Sequence, residues 1–255
     1  MFFFKDTALD LYNKIKKKTG ILSYICDLDL AMPCGIPTGH LTEVVGLPGS
    51  GRTAFCIKAC IAASMPKSVL GFDGESMYLD IRQQFSPELL ETVVNSSNRD
   101  AESNGNMFQR KLEDVWETIF YAKITNMEDF VSRVETMDHF LTDHPKVRLI
   151  VVDSLIGLSY NFTSNYYRVK FLCEMLHRLE ELALKQQLAV IIVNDMTTKY
   201  NVDDDDFKIV PSLGPYYSHK FFLQLILSRS DDERIIVEVS ENIRNTKQRA
   251  VIDID

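Results

Sequence analysis

Gly46-Leu47-Pro48-Gly49-Ser50-Gly51-Arg52-Thr53 follows a short β-branched run, Leu41-Thr42-Glu43-Val44-Val45, and leads into small and apolar residues from Thr53 to Ala63, with a stop at Pro66. The stretch fits G-x-x-x-x-G-K-[ST] at every fixed position but the lysine, where Arg52 stands. Strand, glycine-rich turn and helix are the context this pattern needs. The glycines let successive backbone N–H groups converge on phosphate oxygens, and the helix N-terminus adds a favourable dipole. Gly46, Leu47, Pro48, Gly49, Ser50, Gly51, Arg52 and Thr53 are therefore the expected nucleotide-binding residues, with the Thr53 hydroxyl placed to hold Mg²⁺. Arg52 keeps the positive charge but replaces a compact ammonium with a longer planar fork. The loop thus supports binding of ATP better than its hydrolysis.

Outward from this loop, strand and helix signals alternate. Ser68 to Phe72 is expected as a second strand, with Leu79 to Phe85 and Pro87 to Val94 helical. Asn95 to Asn106 (NSSNRDAESNGN) has no apolar residue larger than alanine and is expected as a surface insertion. Thr118 to Ile124 is a third strand, Met127 to Leu141 an amphipathic helix and Val147 to Val152 an almost wholly apolar fourth strand. Tyr166 to Lys185 is a long helix, and Leu188 to Val193 a fifth strand. Strands apolar on both faces, alternating with helices, indicate an α/β fold with a parallel sheet covered on both sides. Phe221 to Leu227, Arg234 to Val239 and Ala250 to Ile254 are separated by short polar turns and should extend one edge antiparallel. The alternation predicts one domain over residues 21–255 behind an N-terminal arm, 1–20.

Composition bounds the classes. The 255 residues are 45% hydrophobic and 25% charged, an ordinary globular mix. No apolar run approaches the roughly 18 residues of a membrane span, and Met1 to Lys5 is too short for a signal peptide. Cys26, Cys34, Cys56, Cys60 and Cys173 form no CxxC pair, so reduced thiols are expected in place of a disulfide frame or zinc site. The net charge is −8, and the first twenty residues hold five lysines against two aspartates, so the remainder carries −11. A body this acidic repels a phosphate backbone at long range; contact with nucleic acid must be local or supplied by a partner.

Two carboxylates suit the phosphate loop. Asp153 ends the apolar run Leu149-Ile150-Val151-Val152, where an aspartate can hold the water shell of Mg²⁺; a helix N-cap is the structural alternative. Glu75 follows the expected strand ending at Phe72, on the rim that the loop occupies, and could activate a water. Asp73 is the neighbouring candidate, and the residues alone favour neither.

Several segments together resemble RecA-type strand-exchange ATPases. They are Gly35-Ile36-Pro37-Thr38-Gly39-His40-Leu41-Thr42-Glu43, Phe72-Asp73-Gly74-Glu75, Leu149 to Ser154, Asn194-Asp195-Met196-Thr197-Thr198-Lys199, and Val210-Pro211-Ser212-Leu213-Gly214 with Tyr217, His219 and Lys220. The match is nearest to the eukaryotic recombinase paralogues, the C-type above all. The resemblance implies a RecA-like P-loop ATPase core, ATP and Mg²⁺ as cofactors, and Glu75 as the catalytic, water-activating residue. It also places Arg82 over the adenine ring, and DNA-facing loops between Ser159 and Tyr166 and from Tyr200 to Val210.

Departures from the family shape the expected function. Asp195 stands where the family has a phosphate-sensing glutamine, so an amide donor becomes an acceptor-only carboxylate. Asp203-Asp204-Asp205-Asp206 oppose phosphate contact in the second loop. Tyr160, Phe162, Tyr166 and Tyr167 are available for base stacking near the first. The resemblance further implies that the family's small helical DNA-binding domain is absent, leaving an arm in which Phe4 and Ala8 lie close to a Phe-x-x-Ala partner-docking spacing. Lys14 to Lys18 suit a solvated helix face, or contact with DNA or an acidic neighbour.

These features point to a nuclear mediator of homologous recombination that binds ATP, assembles with other paralogues and the main recombinase, and promotes filaments on single-stranded DNA, directly or within a complex. A DNA-dependent ATPase with its own strand exchange is the alternative. A small-molecule kinase is disfavoured, since no arginine-rich lid is seen.

Overall fold

The structure, a computed structural model, describes residues 20–103, 110–159, 162–201, 206–230, 234–241 and 246–252. The arm with Phe4, Ala8 and Lys14 to Lys18, the residues Tyr160, Asp203, Asp204 and Asp205, and the chain end from 253 lie outside the described residues.

The chain runs through α1 (Cys26–Ala31), β1 (Leu41–Gly46), α2 (Arg52–Ala63), β2 (Glu75–Asp80), α3 (Pro87–Ser103), α4 (Leu112–Trp116) and β3 (Ile119–Lys123). It continues through α5 (Met127–Asp143), β4 (Val147–Asp153), α6 (Leu155–Ser159), α7 (Asn165–Gln186), β5 (Ala189–Asn201), β6 (Asp206–Pro211), β7 (Phe221–Arg229), β8 (Ile235–Glu241) and β9 (Thr246–Ile252). The sheet order is β3-β2-β4-β5-β1-β7-β8-β9, with β6 off this path and paired to β5. The strands from β3 to β7 pair parallel, and β7-β8-β9 pair antiparallel. This is the expected α/β architecture, a RecA-like core with an antiparallel edge.

Side-chain alternation divides the interior. Val44, Leu149, Val151, Ile191 and Val193 pack to one face with α2 residues such as Phe55, Cys56 and Cys60. Ile150, Val152, Val190 and Ile192 pack to the other with Phe130 and Met137 of α5 and Leu176 and Leu179 of α7. The period of two and the burial of both faces explain why the central strands read as unbroken apolar runs.

Three local expectations fail. The run Ser68 to Phe72 is no strand. Lys67–Val69 form a 3-10 turn that ends at Leu70 with φ 65. Gly71 then packs so tightly that a Cβ would lie 2.0 Å from the Met65 carbonyl oxygen. The second strand is Glu75–Asp80, so Leu79 to Phe85 is not helical either. The polar stretch from Asn95 is helical through Ser103, because α3 continues past its apolar face. Asn98 ties the returning chain to it, donating to the Arg110 carbonyl at 2.9 Å and accepting from the Arg110 N–H at 3.0 Å.

The register follows from parallel pairing. Gly46 lies opposite Asp195, and Asp80 opposite Asp153. One rim of the sheet thus collects the phosphate loop and the ends of β2, β4 and the paired part of β5.

Phe130 is fully buried between α5 and the sheet, whereas Arg133 holds an exposed i,i+4 ion pair with Asp129. Phe130→Ala should lower unfolding stability by about 3–5 kcal/mol and Arg133→Ala by less than about 1 kcal/mol, read as urea midpoints at unchanged slope.

Candidate functional site

The phosphate loop is shaped by its glycines. Gly49 and Gly51 sit at φ 81 and 86, a region that disfavours side chains. A Cβ on Gly46 would lie 2.7 Å from the Leu227 carbonyl oxygen of β7. Ser50 is buried in the loop, and its Oγ has no hydrogen-bond partner among the described residues. Backbone N–H groups at the start of α2 lie beside it. An orphaned hydroxyl among helix N-terminal amides is a donor set suited to phosphate oxygens.

Asp153 sits where the sequence places it, at the end of β4 and buried. Its Oδ2 accepts from Thr53 Oγ1 at 2.9 Å and from the Tyr78 hydroxyl at 2.8 Å. Burial raises the Asp153 carboxyl above the ordinary value, and the two donated bonds oppose that rise. Burial, and then the Asp153 charge, push the Tyr78 phenol well up, so Tyr78 stays a donor. A hydroxyl and a carboxylate in contact form an oxygen donor pair of the kind Mg²⁺ takes. The residues present therefore fit a nucleotide phosphate and Mg²⁺: Gly46 to Thr53 would hold the phosphates, and Thr53 with Asp153 the ion. Such an ion, when bound, neutralises phosphate charge.

Arg52 does not point freely into the loop. Its Nη1 donates to the Asn194 carbonyl at 2.8 Å and to Asp195 Oδ1, and the side chain is only 7% exposed. Arg82 Nη1 donates to the same Asp195 Oδ1. Two departures read separately in the sequence, Arg52 and Asp195, are thus one contact. Arg82 was expected over an adenine ring; the structure engages it with Asp195 at the sheet rim.

Glu75 is not brought to this site. It opens β2, opposite Val147, at the far end from Asp80. Five residue steps of strand separate the two, roughly 17 Å. The expectation failed because the second strand was placed one segment early, which put Glu75 at the wrong end. Asp80 is the carboxylate that β2 delivers to the rim, and it is fully buried. It accepts from the backbone N–H groups of Gln84 and Phe85 at 3.2 and 3.1 Å, and from the Tyr121 hydroxyl at 3.2 Å. Asp80 and Tyr78 were missed, although Met77-Tyr78-Leu79-Asp80 repeats the pattern of the apolar run ended by Asp153.

Below the rim lies a buried polar chain. Asn194 Nδ2 donates to Glu43 Oε1 at 2.7 Å, Gln224 Nε2 donates to Glu43 Oε2 at 2.6 Å, and the Leu213 N–H donates to Asn194 Oδ1 at 3.3 Å. It links β1, β5, β7 and the turn after β6. Burial raises the Glu43 carboxyl, and the two amide donors pull it partway back.

Described residues that flank the loops expected to face DNA meet elsewhere on the surface. Arg168 Nε donates to Ser159 Oγ at 3.3 Å, and a cavity of about 450 Å³ opens between Arg168, Lys199 and Tyr216. Tyr166 and Tyr167 are exposed, and Phe162 packs on Phe171 with centroids 5.4 Å apart. On either side of residues 202–205, Met196 to Asn201 pair antiparallel to Asp206 to Pro211.

A comparison with protein families matches residues 15–254 to the family described as Rad51. The chain belongs to the Rad51 family. It is 27% identical over 241 residues to "DNA repair protein RAD51 homolog 3" of Cricetulus griseus, covering 90% of this chain and 65% of that protein. It is 26% identical to the protein of the same name from Dictyostelium discoideum, covering 89% and 62%. It is also 26% identical to "DNA repair protein RAD51 homolog 4" of Bos taurus, covering 88% and 66%. The chain thus spans about two thirds of these relatives' length. The likeness supports the RecA-type paralogue branch, including its C-type member. No described helix is long and apolar enough to cross a membrane.

Asn194→Ala would leave Glu43 and the Leu213 N–H short of a partner, at about 2–4 kcal/mol of stability near neutral pH. The raised Glu43 value means that its ionisation opposes folding: stability present at low pH is lost as pH rises through the folded value. Losing a donor raises that value further. The destabilisation should therefore be smaller at pH 4 than at pH 7.5 in chemical denaturation, and a pH-independent loss would show that Asn194 acts by packing alone.

Proposed function

We propose that this chain is an ATP-binding recombinase paralogue acting in homologous-recombination repair of DNA double-strand breaks, with nucleotide binding in place of rapid turnover. The observation that carries the proposal is the occupation of the rim. Asp80 is taken by two backbone N–H groups and Tyr121, Asp153 by Thr53 and Tyr78, and Asp195 by Arg52 and Arg82. Of these three, none is left unpartnered to activate water, and Arg82 follows Asp80 in the segment that leaves β2. The loop keeps what binding needs: glycine geometry, the Ser50 hydroxyl and the Thr53–Asp153 pair.

Kinship with proteins named for DNA repair supports the biological setting. In that setting the chain works in the nucleus, with other paralogues or the main recombinase as partners, and promotes filament formation on single-stranded DNA. A meiotic role is part of the same proposal. Phe4 and Ala8 serve as the partner-docking pair, and residues 1–20 as the arm that presents them. Contact with DNA runs through the partner complex more than through this acidic chain, although Arg168, Lys199 and exposed Tyr216 offer a local meeting point.

Nucleotide titration and turnover assays with and without single-stranded DNA test the binding role. ATP should bind with Mg²⁺ dependence that is lost in Thr53→Ala, while turnover stays at the level of that variant. Glu75→Gln should leave nucleotide affinity unchanged. DNA-stimulated turnover abolished by Glu75→Gln would instead favour the strand-exchange ATPase. For assembly, co-purification with a paralogue should weaken in Phe4→Glu; association with no family member at all would overturn the mediator role.

A further inference from the structure

We infer that Asp195 is a resident counter-ion of the phosphate clamp, so that the site accepts a nucleoside diphosphate at least as readily as a triphosphate. The inference rests on the nucleotide-binding role proposed above and specifies its ligand state.

Three observations carry it. Both guanidiniums at the rim donate through Nη1 to one oxygen, Asp195 Oδ1. Arg52 is the basic residue of the loop, and its Nη1 is committed to Asp195 before any ligand arrives. Asp195 itself is held in place: its strand partner is Gly46, the first residue of the loop, and its carbonyl accepts the Ser212 N–H at 2.8 Å. The carboxylate therefore belongs to the wall of the site.

Guanidinium N–H groups recognise carboxylate and phosphate oxygens by the same charge-assisted bonds. In loops of this kind the backbone amides cradle the inner phosphates, and the basic residue reaches the outer ones. A diphosphate can use the amides, Ser50 and the Thr53–Asp153 pair while Arg52 and Arg82 remain on Asp195. A triphosphate brings one further anionic group to the guanidiniums. That group must either draw them from Asp195, leaving a poorly exposed carboxylate without its partners, or lie beside it and be repelled. The usual advantage of the outer phosphate is partly offset within the protein.

Calorimetric titration of ADP and a non-hydrolysable ATP analogue, each with Mg²⁺, tests this in wild type, Asp195→Asn and Arg82→Gln. Wild type should bind ADP as tightly as the analogue, or more tightly. Asp195→Asn keeps the shape and removes the charge; it should raise analogue affinity about tenfold and change ADP affinity far less. Arg82→Gln strips Asp195 of one partner and should lower analogue affinity selectively. If Asp195→Asn does not fold, the wild-type ratio and Arg82→Gln still decide. Wild type favouring the analogue by tenfold, or Asp195→Asn shifting both ligands equally, would overturn the counter-ion role and leave nucleotide binding standing. Failure of wild type to bind either ligand at millimolar concentration would overturn both.

Discussion

A carboxylate placed among phosphate-binding groups must be neutralised, and Asp195 is neutralised twice, by Arg52 from the loop and Arg82 from the segment after β2. This ion cluster joins three elements at the rim of the sheet. It can form because parallel pairing sets Asp195 beside Gly46 and Asp80 beside Asp153. Burying charge is costly unless partners and geometry are good. Here the cluster sits at the rim, where Arg82 stays about a third exposed while Arg52 is almost closed off. The cost is thus shared between solvent and the Asn194 carbonyl, which takes a second bond from Arg52.

Asn194 is the hinge between this cluster and the interior. Its carbonyl faces Arg52, its side-chain amide faces Glu43, and its side-chain oxygen holds the backbone of Leu213. A change in any of these bonds is felt at the other two, since hydrogen bonds in a poorly solvated chain reinforce one another. The paired departure at Arg52 and Asp195 therefore stands on a polar network that continues into the interior through Glu43 and Gln224. On the side of β1 and β5 the site is tied into this network. On the other side the segment from Ile81 to Ser86, which carries Arg82, is held by the Asp153 carbonyl and the Asp80 carboxylate.

Much of the fold was legible because periodicity reports burial. The apolar runs at Val147 and Leu188 sit in the centre of the sheet, and the polar turns at the end mark the antiparallel edge. The failures have local causes. Ser68 to Phe72 has strand-like composition, but close contact between Gly71 and the Met65 carbonyl, together with Leu70 at positive φ, turns the chain. That displaced the second strand and carried Glu75 to the wrong rim. Asn95 to Ser103 has no apolar residue larger than alanine, yet the helix continues past the end of the buried stripe. At the site, the loop and Asp153 could be read because their chemistry is local in sequence. The Arg52–Asp195–Arg82 cluster could not, since it spans 143 residues between Arg52 and Asp195 and 113 between Arg82 and Asp195.

Pairing also changes what the two departures mean. Taken singly, an arginine in the loop keeps a positive charge for phosphate, and an aspartate at the end of β5 merely loses a donor. Taken together they cancel, because the longer reach of arginine lets it meet the carboxylate that replaces the amide. Lysine would make a point contact with Asp195 and leave less of the fork geometry to hold it; an amide at 195 would leave Arg52 available to a ligand. Each residue therefore makes the other tolerable. The loop retains the backbone amides and hydroxyls that do not depend on Arg52, while one of the two positive charges facing an outer phosphate is already matched by Asp195. A site of this kind can hold a nucleotide as a structural element of an assembly without driving its hydrolysis, the property that a binding-specialised member of an ATPase family requires.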